Sequence, residues 1–215
     1  DQRCICVQTG SRFSRLAPDQ YSIDPTNPAD YDRLLAAQAK QAIEIDRIIH
    51  LWTLDPNERV EAGLQTMEHA LERGPFSLLY LVHALDRIKR DADTSRTLLF
   101  VSNYVQPVLP DDRIVPEKSV QLGFVKTIPQ EYSWLRCCHV DLAAGENDEN
   151  AARVLDELAG TLGDEDVAYR HGQRWVLRFE EAGIGREEKQ PLPFKQKGLY
   201  LLSGGLGGIG TEIAK

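Results

Sequence analysis

Gly198-Leu-Tyr-Leu-Leu-Ser-Gly-Gly-Leu-Gly-Gly-Ile-Gly-Thr-Glu-Ile-Ala-Lys215 closes the chain, and its reading governs the rest. Leu199 to Leu202 is apolar and bounded by glycine, which predicts a short buried strand. Ser203, Gly204, Gly205, Leu206, Gly207, Gly208, Ile209 and Gly210 come next as a glycine-rich turn, and Thr211 to Lys215 can open a helix. Strand, glycine turn and helix start together form the setting of a dinucleotide phosphate site. Glycines admit a pyrophosphate close to the backbone, and the first helical turn offers free N–H groups. The spacing is Ser-Gly-x-x-x-Gly-x-Gly, with Gly204, Gly208 and Gly210 as fixed points. A glycine motif alone is weak evidence; the flanking strand and helix give this one its weight. The competing reading is a glycine-rich tail. The chain stops five residues after the motif and opens at Asp1 without methionine, so a piece of a longer protein is expected.

Working outward, 215 residues suffice for one or two domains with a real core. A 42% hydrophobic and 27% charged composition is that of an ordinary soluble globular protein. The net charge of −8 argues against nucleic acid or an anionic membrane as partner, since both reward basic patches. No apolar run approaches a membrane span or a signal peptide, so cytoplasmic is the default location. Cys4 and Cys6 alternate along one segment, and the adjacent Cys137 and Cys138 point to opposite faces of another. Neither pair has zinc-site spacing, which favours small buried apolar residues in strands over a metal.

Strand-like and helix-like segments alternate from the N-terminus. Arg3 to Gln8 reads as a strand, residues 13–16 as irregular, and Tyr21 to Asp24 as a short extended piece. Asn27 as N-cap and Pro28 at the first helical position start a helix reaching about Ile43. Arg47 to Trp52 is a strand. A helical region starting at Asp55-Pro56 is expected to end at Gly74-Pro75. Phe76 to Arg90 carries the strongest helical period, with Leu78, Leu79, Leu81, Val82, Leu85 and Ile88 on one broad face. Arg96 to Ser102 is an apolar run of the kind that a parallel sheet buries on both sides. Ser119 to Ile128 predicts a helix cut off by Pro129. Leu135 to Leu142 is a further strand, and Glu146 to Ala159 a helix with an acidic start. Asp166 to Arg170 and Arg174 to Phe179 form a hairpin across His171-Gly172-Gln173. The implied fold class is α/β: a parallel sheet with helices on both faces. The polar, proline-bearing stretch 183–197 is a linker by composition.

Several of these stretches, in this order, resemble the ketoreductase domains of modular polyketide synthases, members of the short-chain dehydrogenase superfamily. They are Tyr21-Ser-Ile-Asp-Pro-Thr-Asn-Pro-Ala-Asp-Tyr31, Ile48-Ile-His-Leu-Trp52, and Thr127-Ile-Pro-Gln-Glu-Tyr132 ahead of Cys138-His-Val-Asp141. The Tyr169-Arg-His-Gly-Gln-Arg-Trp-Val176 hairpin and the terminal glycine turn complete the set. The resemblance implies a two-part reading of the chain. Residues 1–182 would be a degenerate Rossmann-like structural subdomain lacking its first strand and helix. Residues 183–197 would be the linker, and 198–215 the truncated opening of a second Rossmann unit that binds NADPH. Ser203 stands where the family motif usually has threonine and keeps the hydroxyl. The implied partners are the catalytic half, an acyl carrier protein bearing a β-ketoacyl phosphopantetheine, and other synthase domains.

The resemblance implies hydride transfer to a carbonyl with a tyrosine as proton donor, which in that superfamily typically stands four residues before lysine or, in polyketide ketoreductases, asparagine. Chemically, the acid must reach the carbonyl oxygen. The residues four after the seven tyrosines are Pro25, Leu35, Ala84, Val108, Arg136, Gln173 and Gly204, so no catalytic residue is assigned. His50, His69, His83, His139 and His171 fall on separate segments without metal-ligand spacing, and His50 reads as a hydrogen-bonded core histidine. Neither a phosphate-loop lysine nor a hydrolase elbow occurs. The alternative within the same family is a pseudo-ketoreductase that only braces its neighbours. A separate dinucleotide-binding protein would need a complete fold around the turn.

Overall fold

Three short strands come first in the computed structural model, which describes residues 3–41, 44–54, 63–88, 95–143, 145, 147–160, 163–181 and 194–214. They are β1 (Cys6–Thr9), β2 (Ser14–Ala17) and β3 (Gln20–Ile23). β3 lies in the middle, parallel to β1 and antiparallel to β2. The stretch expected to be irregular is therefore a strand in part. Its outward side chains, Arg15 and Leu16, are exposed, so the apolar alternation that marks a strand is missing from the sequence. Cys4 and Cys6 are exposed rather than buried, because β1 is an edge strand; Cys137 is buried and Cys138 half-buried. Helix α1 (Pro28–Lys40) begins as its sequence requires: the Asn27 side chain accepts the Ala29 N–H at 3.1 Å and Pro28 occupies the first turn. Tyr31, Leu34 and Leu35 form its buried face.

The main sheet is built from β4 (Arg47–Thr53), β5 (Arg96–Asn103), β6 (Leu135–Leu142), β7 (Asp166–Arg170) and β8 (Gln173–Val176), side by side in that order. The first four are parallel and β8 returns antiparallel. The connections carry α2 (Leu64–Leu71), α3 (Ser77–Ile88), α4 (Val120–Glu131) and α5 (Asn147–Ala159). One face of the sheet offers Leu98, Phe100, Leu135 and Cys137 to Leu78, Val82 and Leu85 of α3 and to Val125 and Ile128 of α4. The other offers Leu99, Val101, Val140, Leu142 and Val167 to Val154 of α5. Both faces of β5 are thus covered, which is why its sequence is a continuous apolar run. The α/β class with a Rossmann-like parallel sheet and flanking helices is the fold observed.

β1 starts at Cys6 rather than Arg3 and β8 ends at Val176 rather than Phe179, and three further boundaries differ from expectation for a local reason. No break falls at Gly74-Pro75: α2 passes through a wide turn, Glu72–Phe76, directly into α3. Proline cannot supply an N–H, and the five-residue spacing of that turn accommodates the gap. The Ser77 hydroxyl, 2.7 Å from the Arg73 carbonyl and 2.9 Å from that of Gly74, answers carbonyls at the same turn. Pro129 does not end α4, which runs to Glu131 because Val125 and Ile128 are anchored in the core and Tyr132 N–H still reaches the Ile128 carbonyl at 2.8 Å. The hairpin closes on two residues, His171 (φ 50°) and Gly172 (φ 74°), the left-handed pair of a tight turn, so Gln173 belongs to β8.

The chain divides into two compact units, Asp1–Leu177 and Arg178–Lys215. In the second, residues 198–202 form no strand; Leu199 and Leu201 are fully exposed. A strand is completed by a hydrogen-bonded neighbour, and no described residue provides one there. The helical start expected at Asp55-Pro56 lies outside the described residues, as does most of the linker expected over 183–197.

Candidate functional site

The glycine turn keeps its shape without a strand in front of it. Gly204 has φ 77°, a left-handed conformation, and its carbonyl accepts the Gly207 N–H at 3.0 Å. A short helix, α6 (Gly208–Ile213), comes next, and the Thr211 hydroxyl donates to the Gly207 carbonyl at 2.9 Å. A Cβ on Gly210 would stand 2.4 Å from the Gly204 carbonyl oxygen, so only glycine lets the helix start fold back on the turn. A Cβ on Gly208 would project into open space. The backbone at Gly208 is thus unobstructed by neighbouring atoms, and a glycine turn of this make-up fits a dinucleotide pyrophosphate. Ser203, Gly204, Gly205, Leu206, Gly207, Gly208, Ile209 and Gly210 are one continuous turn and helix start, with Leu206 and Ile209 exposed.

The first unit holds a different constellation, which sequence spacing does not disclose. Parallel pairing sets Phe100 of β5 beside His50 of β4 and His139 of β6, and sets His139 beside Asp166 of β7. One residue from each of the four parallel strands thus forms a row across one face of the sheet. Its rings stack or tilt at 5.3 Å (His50–Phe100) and 5.7 Å (Phe100–His139). His139 Nδ1 lies 2.8 Å from Asp166 Oδ1, and His139 Nε2 lies 2.7 Å from Ser102 Oγ. Burial opposes ionisation of Asp166, but the hydrogen bond from His139 and the Lys126 ammonium, 3.1 Å away, hold its carboxyl below the usual range. Serine, histidine and aspartate in a chain suggest a nucleophile with its base. The surroundings exclude that use. Ser102 is 0% exposed, and its oxygen is bracketed by His139 and by Asp141 Oδ1 at 3.0 Å, leaving no room for an acyl group.

At the carboxyl ends of β5, β6 and β7, where open α/β sheets take their ligands, the space is filled by ion pairs. Arg170, the last residue of β7, donates Nε to Asp112 Oδ2 at 2.9 Å. It donates Nη1 to the carbonyls of Asp141 and Tyr169 at 3.2 and 2.9 Å. Nη2 goes to the Gln106 carbonyl at 2.9 Å and to Asp141 Oδ2 at 2.7 Å. Those are five bonds for the five N–H groups of a guanidinium. Asp141 is 0% exposed and also accepts the backbone N–H groups of Val105 and Gln106. Burial works against Asp112 ionising, yet the N–H groups of Leu109 and Val108 and the Arg170 charge keep its carboxyl low. Every polar group is answered from within, and the strand ends are closed.

His50 is likewise committed to the core. Its Nε2 meets the buried Ser77 Oγ at 2.8 Å, and burial pushes its pKa down to about 4, so the ring is neutral at pH 7. Among the described residues no three His, Cys, Asp or Glu side chains stand where they could hold a metal ion. No helix of the described residues is long and apolar enough to cross a membrane.

Comparison with known proteins places this architecture. A family described as "Beta-ketoacyl synthase-like, N-terminal" matches residues 1–159, most of the chain. The chain belongs to that family. The matched span of this synthase-like family member lies within the first unit. A relative among characterised proteins is "Polyketide synthase PksN" of Bacillus subtilis (strain 168), 32% identical over 76 residues, which are 35% of this chain and 1% of that protein. Two solved structures align with 98% of the chain. One, an "Adenylation, ketoreductase, and pseudo Asub multidomain structure of a keto acid-selecting NRPS module", has TM-score 0.78 and 26% identity, with 17% of its chain covered. The other, an "N-terminal ketoreductase from macrolactin assembly line", has TM-score 0.70 and 21% identity, with 40% covered. The chain thus spans less than half of each of these proteins. The resemblance to polyketide synthase ketoreductases read from the sequence is borne out.

Proposed function

We propose that this family member is part of a modular polyketide synthase ketoreductase, one that reduces a carrier-bound β-ketoacyl thioester with NADPH. The first unit serves as the structural subdomain, and the glycine turn opens the subdomain that binds the nucleotide. The observation that carries this reading is a contrast between two sites. The strand ends of the first unit, where a Rossmann-like fold would take a dinucleotide, are filled by Arg170, Asp141 and Asp112. The turn presents bare backbone to open space at Gly204 and Gly208, and Gly210 lets the helix start pack against Gly204 and Gly205. When bound there, NADPH would supply a hydride to the substrate carbonyl; this chain's own residues would hold the pyrophosphate through backbone N–H groups at the start of α6. The partners in this reading are the catalytic half, an acyl carrier protein and neighbouring synthase domains.

Within this reading, a non-catalytic pseudo-ketoreductase remains the alternative, and one experiment separates the two. The parent synthase module is given NADPH and a β-ketoacyl thioester, and nicotinamide absorbance is followed. Turnover that disappears in Gly208→Val, where a side chain would fill the pyrophosphate's place, supports a working site. No turnover in the unaltered module would establish the scaffold.

A further inference from the structure

The segment from Tyr104 to Val115 leaves β5 and returns to the same point, since the Val115 N–H donates to the Tyr104 carbonyl at 2.8 Å. Its ends are therefore pinned together, as in a compact surface loop with its own closure. Tyr104, at the neck, has φ 62°, a left-handed conformation that a non-glycine side chain adopts at a cost and keeps only where its surroundings enforce it. Contacts from outside the loop enforce it. Asp141 of β6 accepts the N–H groups of Val105 and Gln106, and Arg170 of β7 holds the Gln106 carbonyl and the Asp112 carboxylate. Asp112, within the loop, in turn accepts the N–H groups of Val108 and Leu109 at 2.9 and 3.1 Å. The loop is thus organised around one carboxylate and clamped by one guanidinium.

We propose that residues 104–115 form a latched strap across the carboxyl ends of β5, β6 and β7, held by Arg170 and able to open as a unit while the sheet stays folded. The physical reason is the distribution of contacts. The β5 and β6 strands are joined by a full parallel ladder and buried on both faces, whereas the strap has no ladder and is joined to the strands through Asp141, Arg170, a Gln106–Asp166 hydrogen bond and the buried side chains of Val105 and Val115. A segment held by side-chain contacts rather than by a strand ladder opens at lower free energy than the doubly buried strands beneath it. This strap, rather than a lack of suitable strands, is what closes the first unit's crevice. The inference concerns the first unit alone and holds whichever reaction the parent protein performs.

Native-state hydrogen exchange on the intact chain tests it. The amides of Val105, Gln106, Val108 and Leu109 are expected to share one opening event and to exchange at least about tenfold faster than those of Leu98 to Val101. Asp112→Ala supplies the decisive comparison. In this variant Leu109 loses its acceptor and Val108 keeps only the Gln106 carbonyl, but Val105 and Gln106 are held by Asp141 and would be untouched by a local change. Faster exchange at Val105 and Gln106 as well, with Leu98 to Val101 unchanged, supports a strap that opens as one. Acceleration confined to Val108 and Leu109, or strap and strand amides that exchange only together, would overturn it.

Discussion

Arg170 and Asp141 meet through Nη2 and Oδ2 at 2.7 Å, at the ends of neighbouring strands and away from solvent. The pair matters less for its attraction than for the stranded charge that loss of either partner would leave. A buried ion pair contributes modest net stability, whereas a buried charge without its partner is costly. Arg170→Leu should therefore lower the stability of the first unit by about 3 to 5 kcal/mol, measured by urea unfolding. Arg170→Lys should recover less than half, because an ammonium has three donors and the site takes five. A loss within about 0.5 kcal/mol for Arg170→Leu, the level of an ordinary surface change, would contradict the account of the closed strand ends.

His50 makes the fold sensitive to mild acid. Its folded pKa, about 4, lies below the ordinary 6.5, so the unfolded chain takes up the proton first. The stability that the neutral ring supports is complete above pH 6.5 and is lost as pH falls from there towards 4. Over that window the loss is about 3 kcal/mol at most. His50→Gln retains an amide that can reach Ser77 but cannot titrate. Its stability should be flatter between pH 7 and pH 4.5 than that of the unaltered chain, by urea midpoints at each pH. Parallel curves would show that His50 has access to water.

Asp166 contributes in a lower range. His139 and Lys126 keep its folded pKa below the ordinary 3.8, so its contribution is intact above that value and disappears as pH falls further. Asp166→Asn should destabilise the unit at pH 7 and narrow the difference from the unaltered chain below pH 3.5, again by urea unfolding. A constant difference across the range would remove the carboxylate's charge from the explanation.

Much of this architecture is legible in the residues, and the parts that are not share a physical cause. The Asn27-Pro28 helix start, the doubly buried run of β5 and the His171-Gly172 turn are written in local chemistry and appear in the fold. Gly74-Pro75 misleads because a stop signal is overridden by burial of the helix beyond it and by Ser77 beneath the turn. The row His50, Phe100, His139, Asp166 is invisible for a different reason. Which residues face one another across parallel strands is set by register, and register leaves no mark in sequence spacing. His139 and Asp166 are readable as strand residues, not as neighbours. The glycine turn is the converse case: its motif is plain in the sequence, while the strand expected before it needs a pairing partner to exist.

At that turn, Gly210→Ala places a Cβ 2.4 Å from the Gly204 carbonyl oxygen, so the backbone must give way. In the parent module the displacement of the phosphate cradle should cut NADPH-dependent reduction roughly 100-fold, read from steady-state rates. The stability of the first unit should not change. Full turnover in Gly210→Ala would take the cofactor away from this turn.

If the first unit only supports and the nucleotide belongs to the glycine turn, a fluorescence titration of this 215-residue chain with NADPH should show it. One turn cannot hold adenine, ribose and nicotinamide together, and no saturable binding is expected up to about 1 mM. Micromolar binding that persists in Gly208→Val would mean that the first unit has a nucleotide crevice of its own, and would contradict the account.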